Sequence, residues 1–346
     1  MAALTRPMRP VARAAACGEG PALAALWRTL WDAHEQWGGY RGSHDARVYA
    51  LLASRLDEDA RVRGGHPILG RHVHLVADLG GVPCGQVEGW LEQHGASGST
   101  PLTCEVRSLI VAERARHLGA GRVLLDALSE AARTMGHGLK CVMAAEVLEP
   151  NPAHAFYQRV GYSPVAWSAR IGAAEGARLR AGRFSARVAA PGDALIIARL
   201  EATLAARRRA AGDTRFDGPR AIDATLVDYI ASQVATDSGS SLQAPARIVV
   251  VDPAGVVRGA ASFAVDALEP PFLPARRALV GRFALDAAFP AGPLVEPLVA
   301  LGCRLAMWRG AMHVELTDLS EPGTDLYDGA LATGAKAWSR VVTKKG

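Results

Sequence analysis

The chain is written twice. Arg13-Ala14-Ala15-Ala16-Cys17-Gly18-Glu19, followed by apolar positions Leu23, Leu26, Trp27, Leu30 and Trp31, returns as Arg187-Val188-Ala189-Ala190-Pro191-Gly192-Asp193 ahead of Ile197, Leu200 and Leu204. The same offset of 174 residues carries residues 75–85 onto 249–259, both reading as strand, tight turn, strand. It also carries Leu109 and Val111 onto Phe283 and Leu285, so three separate segments agree without a gap. A tandem duplication requires two copies of one fold, and 346 residues are enough for two domains of ordinary size.

Each copy has the order strand, helices, hairpin, strand, loop, helix, strand, helix, strand, an α/β layer arrangement. The expected division is a first domain at 1–172, a small polar linker at 173–183 without periodicity, and a second domain at 184–346. With 49% hydrophobic residues both copies can bury a core. The net charge of +5 is spread over scattered arginines, which argues against a nucleic-acid partner. No apolar run approaches the roughly eighteen residues of a membrane span. The five cysteines, Cys17, Cys84, Cys104, Cys141 and Cys303, show no metal-ligand spacing and read as reduced residues of a cytosolic protein. No metal is expected. Neither Cys104 nor Cys141 has a histidine placed as an evident base, which disfavours a thiol nucleophile.

One stretch carries chemistry. Residues 105–121 run from Glu105 through a short apolar strand into Arg116-His117-Leu118-Gly119-Ala120-Gly121, on which a helix opens. Two glycines allow close backbone approach, and the first turn of a helix directs unpaired N–H groups and a positive dipole end at an anion such as pyrophosphate. The second copy has Pro290 and Pro293 where the first has Arg116 and Gly119, and Val295 where it has Gly121. Proline has no N–H and valine blocks close approach, so the second copy is expected not to hold pyrophosphate.

Thirty residues on, Asn151 is placed to cap a helix with Pro152 at its start, and the motif Asn151-x-x-x-x-Phe156-Tyr157-x-x-x-Gly161-Tyr162 follows. The two motifs together, after a first helix and a hairpin, resemble the GCN5-related N-acetyltransferases (GNAT). The resemblance covers most of residues 10–170, and the whole chain resembles tandem-domain acyltransferases with a degenerate second repeat. It implies an α/β fold of two tandem domains, each a mixed, splayed sheet flanked by helices.

The resemblance further implies an acyl-CoA co-substrate, acetyl-CoA or another. Its pantetheine arm would pair with the backbone of Leu109, Ile110 and Val111, its pyrophosphate would lie on residues 116–121, and Asn151 and Tyr157 would sit beside the thioester. Glu105 stands where several family members carry their base, and Tyr157 is expected to protonate the leaving thiolate. His34, Trp37 and Tyr40, after the first helix, are candidates for the acceptor pocket. The expected reaction is direct transfer of an acyl group to the amine of a small polar molecule, in a ternary complex. The competing expectations are an acyl-CoA sensor or scaffold without turnover, and a GNAT-like acyl-CoA decarboxylase.

Overall fold

The computed structural model describes residues 9–38, 42, 44–93, 102–137, 141–180, 182–216, 224–237, 246–267 and 276–345. The first copy contains β1 (Val11–Arg13), α1 (Gly20–Gln36), α2 (Ala46–Arg63), β2 (Ile68–Leu69), β3 (His72–Leu79), β4 (Val82–Gln93), β5 (Leu102–Val111), α3 (Ala120–Met135), β6 (Cys141–Leu148), α4 (Ala153–Arg159) and β7 (Ser163–Gly172). A short α5 (Ala173–Gly176) follows. The second copy contains β8 (Ser185–Val188), α6 (Ala194–Ala210), α7 (Ala224–Asp237), β9 (Ala246–Val251), β10 (Val257–Ala267), β11 (Arg276–Leu285), α8 (Ala291–Trp308), β12 (Ala311–Leu319), α9 (Asp325–Ala332) and β13 (Lys336–Lys345).

The duplication extends to fine detail. Arg13 pairs with Glu19 at 2.5 Å, and Arg187 pairs with Asp193 at 2.6 Å. Ser108 in β5 and Arg282 in β11 both have positive φ, 53° and 52°, and both lie at a shift of register against the preceding strand. Such a bulge kinks the strand and increases its twist. The parallel ladder of β5 with β6 stops just before it, at Val106↔Ala145, and that of β11 with β12 stops at Val280↔Leu316. The sheet therefore splays once in each copy, as expected.

The thirteen strands among the described residues form one sheet, in the order β1-β3-β4-β5-β6-β13-β7-β12-β11-β10-β9-β8, with β2 beside β3. The sequence pattern does not announce this order. The last strands of the two copies are exchanged: β13 pairs with β6 of the first copy, β7 with β12 of the second, and β7 and β13 pair antiparallel at the centre. The cores follow the exchange, since Ala169 and Ile171 of β7 lie in the second copy's core and Val342 of β13 in the first's.

Each copy has helices on both faces of the sheet. On one face α3 buries Leu124, Leu125 and Leu128, spaced by turns of the helix, against Val87, Val106 and Met143. On the other, α1 and α2 bury Leu23, Leu26, Leu52 and Leu56 against Val76 and Ile110. The second copy repeats this, with α8 on one face and α6 and α7 on the other.

Candidate active site at the first splay

Past Val106 and Ala145 the facing edges of β5 and β6 have no ladder partner in each other. An opening of this kind offers backbone donors and acceptors to an extended ligand. Leu109 and Val111 are half-buried there and Ile110 is buried; Gly85↔Val111 and Gln86↔Ile110 tie the other edge of the strand to β4.

Residues 116–119 turn from β5 into α3, with Arg116, His117, Leu118 and Gly119 exposed and Ala120 buried. His117 has φ 71° and Gly119 φ 91°, so the turn doubles back with left-handed residues. Gly119 is the N-cap of α3; no side chain caps that end, and its first turn holds no acidic residue. The helix thus presents open N–H groups beside the exposed Arg116. Gly121 has a different reason than the one its motif suggests. A Cβ there would come 3.0 Å from Cζ of Phe156, so the glycine makes room for the α4 ring.

The second copy closes the matching place. The N–H of Ala291, first residue of α8, donates to the Asp325 carboxylate at 2.6 Å. A Cβ on Gly329 of α9 would meet the Cα of Gly292 at 2.8 Å, so α8 and α9 touch backbone to backbone. An internal carboxylate occupies the position where an anion would bind.

Glu105 and Tyr157 lie on opposite faces of the sheet. Val106 and Cys104 point into the α3 core, so by strand alternation Glu105 points toward the α1/α2 face. It is half-buried and ion-paired with Arg107. Arg107 in turn lies 4.0 Å from Glu92 and over the Trp90 ring at 5.9 Å. Burial and the Glu105 carboxylate push Glu92 up, against Arg107 and Arg282. Tyr157 is buried on α4, edge-on to Phe156 and Tyr162 at 5.5 and 5.1 Å. Burial lifts its hydroxyl well above the usual tyrosine range, so it keeps its proton at neutral pH. Asn151 Oδ1 accepts from the Ala153 N–H at 2.9 Å; the helix starts at Ala153, one residue later than Pro152.

His34 and Trp37 end α1 in an aromatic cluster with Trp31; His34 lies edge-on to Trp31 at 6.0 Å and tilted to Trp37 at 5.6 Å. Burial pushes His34 down to about 4, so it is neutral above that pH. Tyr40 lies outside the described residues. Arg170 of β7 reaches the Gly38 carbonyl at 3.5 Å, which sets the end of α1 over the central strands. Cys104 and Cys141 are buried, and burial raises both thiols, which leaves neither poised as a nucleophile.

Two features escape the sequence. His72 stacks on Trp90 at 4.3 Å, contacts Arg63 at 2.6 Å and lies 3.7 Å from Glu88, in a polar layer under α2. Alternation of His72, His74, Glu88 and Trp90 along a hairpin was its available signal. The other is Glu146, one acidic residue in the otherwise apolar strand Cys-Val-Met-Ala-Ala-Glu-Val-Leu.

The acetyltransferase (GNAT) family profile matches residues 27–162. No curated protein sequence matches the chain. Among solved structures, the chain is similar to a GCN5-related N-acetyltransferase from Sphaerobacter thermophilus at 17% identity and TM-score 0.57, covering 99% of this chain and 97% of that one. It is similar to a tandem GNAT protein from the clavulanic acid biosynthesis pathway at 17% identity and TM-score 0.50, covering 97% and 98%. A glucosamine N-acetyltransferase region of a fungal multi-domain β-N-acetylglucosaminidase matches at 13% identity and TM-score 0.52, covering 98% of this chain and 38% of that one. At these identities the likeness is one of fold.

Proposed function

We propose, from a chain whose residues 27–162 are a domain of the acetyltransferase (GNAT) family and whose fold is that of tandem GNAT proteins, that it transfers an acyl group from acyl-CoA to the amine of a small polar molecule. The observation that carries this reading is the contrast between the two copies. α3 begins without a side-chain cap beside an open splay, whereas α8 begins on Asp325. One copy is left open for an anion and the other is filled from within.

The residues fit acyl-CoA. Residues 116–121 would receive the pyrophosphate at the open end of α3, and the edge of β5 at Leu109–Val111, which β6 does not pair and where the Val111 carbonyl accepts from Arg116 Nε at 3.4 Å, would pair with the amide-bearing arm. Bound acyl-CoA would supply a thioester carbonyl as the electrophile. An amine of pKa near 10 is about a thousandfold more protonated than neutral at pH 7, so a base is needed. Glu105 takes that proton, directly or through water, from the α1/α2 face. Tyr157, protonated on the other face, hydrogen-bonds the departing sulfur. A backbone N–H of the kinked β5 stabilises the charge that develops on the carbonyl oxygen. His34 and Trp37, at the end of α1 over the central strands, wall the acceptor side.

The test is incubation with acetyl-CoA and a panel of amines, following free thiol and product mass. Amine-dependent thiol release with an acylated product is the expected result. Thiol release without amine, accompanied by CO2 from malonyl-CoA, would identify a decarboxylase, and binding without turnover a sensor.

A further inference from the structure

The exchanged strand of the second copy reaches the mouth of the first copy's splay. Glu146 follows Ala145, the last residue of β6 paired with β5. Cys141, Met143, Ala145 and Val147 enter the α3 core, so Glu146 projects from the opposite face. Glu105 shares that face through its register with Ala144. Glu146 is exposed on a strand otherwise buried. Ser339 of β13 is fully buried and donates from Oγ to Glu146 Oε1 at 2.6 Å. The next residue, Arg340, makes a two-pronged bond to Glu149 at 2.7 and 2.6 Å, which anchors β13 beside the site.

Resting on the acyltransferase reading above, we propose that Glu146 is a catalytic residue that holds the acceptor ammonium at the mouth of the splay, opposite Glu105, and that Ser339 is its positioning residue, supplied by the second copy. The geometry gives each group its task. An amine coming from the α1/α2 face must pass between two diverging strands, and each presents one carboxylate there. Ser339 engages one oxygen of Glu146 and leaves the other to accept from the ammonium. The N–H bond broken is the one that faces Glu105, where the O–H bond forms. Glu146 accepts a hydrogen bond from the nitrogen, whose positive charge returns as the N–C bond is made; the second N–H proton passes to the departing sulfur as the C–S bond breaks. The second copy then has a chemical role without binding CoA: its last strand completes the acceptor site of the first.

The test uses the full chain and its best amine. Glu146→Gln should lower kcat/KM for the amine by about 100-fold, with acetyl-CoA affinity by titration unchanged. Ser339→Ala should lower the same ratio by about 10-fold, at unchanged acetyl-CoA KM and melting temperature, and Ser339→Thr should restore it. An active protein whose Glu146→Gln variant keeps its kcat/KM for amine would overturn this assignment alone. So would a Ser339→Ala loss that follows acetyl-CoA affinity. A wild-type protein inert toward every amine would overturn the acyltransferase reading and this assignment with it.

Discussion

The N–H of Ala291 and the carboxylate of Asp325 meet at 2.6 Å, and this bond separates the two copies of the fold chemically. A carboxylate at a helix N-terminus satisfies an orphan donor and complements the positive dipole end. The second copy has supplied its own anion.

Asp325→Ala should therefore cost about 1 kcal/mol of stability, as loss of a helix cap does, and leave acetyl-CoA affinity at its wild-type value. Thermal melts and calorimetric titration check the two halves of this statement. A gain of a second CoA equivalent in the variant would mean that Asp325 was the only barrier, against the backbone contact of Gly292 with Gly329.

Gly121 is constrained by packing. Gly121→Ala brings a methyl to 3.0 Å from the Phe156 ring and should destabilise by roughly 1–3 kcal/mol, the range for overpacking. Phe156→Leu in the same chain should recover most of that loss. If the double variant stays as unstable as Gly121→Ala, the ring is not what the glycine accommodates.

Glu315 makes stability depend on pH. It is 1% exposed on β12, and burial pushes it up to about 8 from 4.5, with Arg277 at 3.7 Å beyond hydrogen-bond reach. Its folded pKa lies above the unfolded one, so its contribution is intact below pH 4.5 and is lost as pH rises to about 8. The loss has an upper bound on the order of 5 kcal/mol. Denaturant titrations of Glu315→Gln should show a flatter pH dependence across that window than the wild type. An equal slope in both would place the effect elsewhere.

Much of this was legible in the residues. The 174-residue repeat, the hairpins, the glycine loop opening α3 and the apolar stripe of α3 are local patterns, set by spacing and by glycine. The exchange of β7 and β13 was not, because both strands have equivalent places in the repeat and nothing in their own residues names a partner. For the same reason Ser339 could not be joined to Glu146, 193 positions away, from sequence. Asp325 was also silent, since a cap on another helix depends on how α8 and α9 meet. Gly121 fitted its motif, but the ring it faces becomes visible only when α4 is in place.

The two copies should differ in one property, acyl-CoA binding by the first and not by the second. Calorimetric titration of the full chain with acetyl-CoA, repeated on Arg116→Glu, tests it most directly. The wild type should bind one equivalent, and the variant none at the same concentrations. Two equivalents, or one that survives Arg116→Glu unchanged, would contradict it.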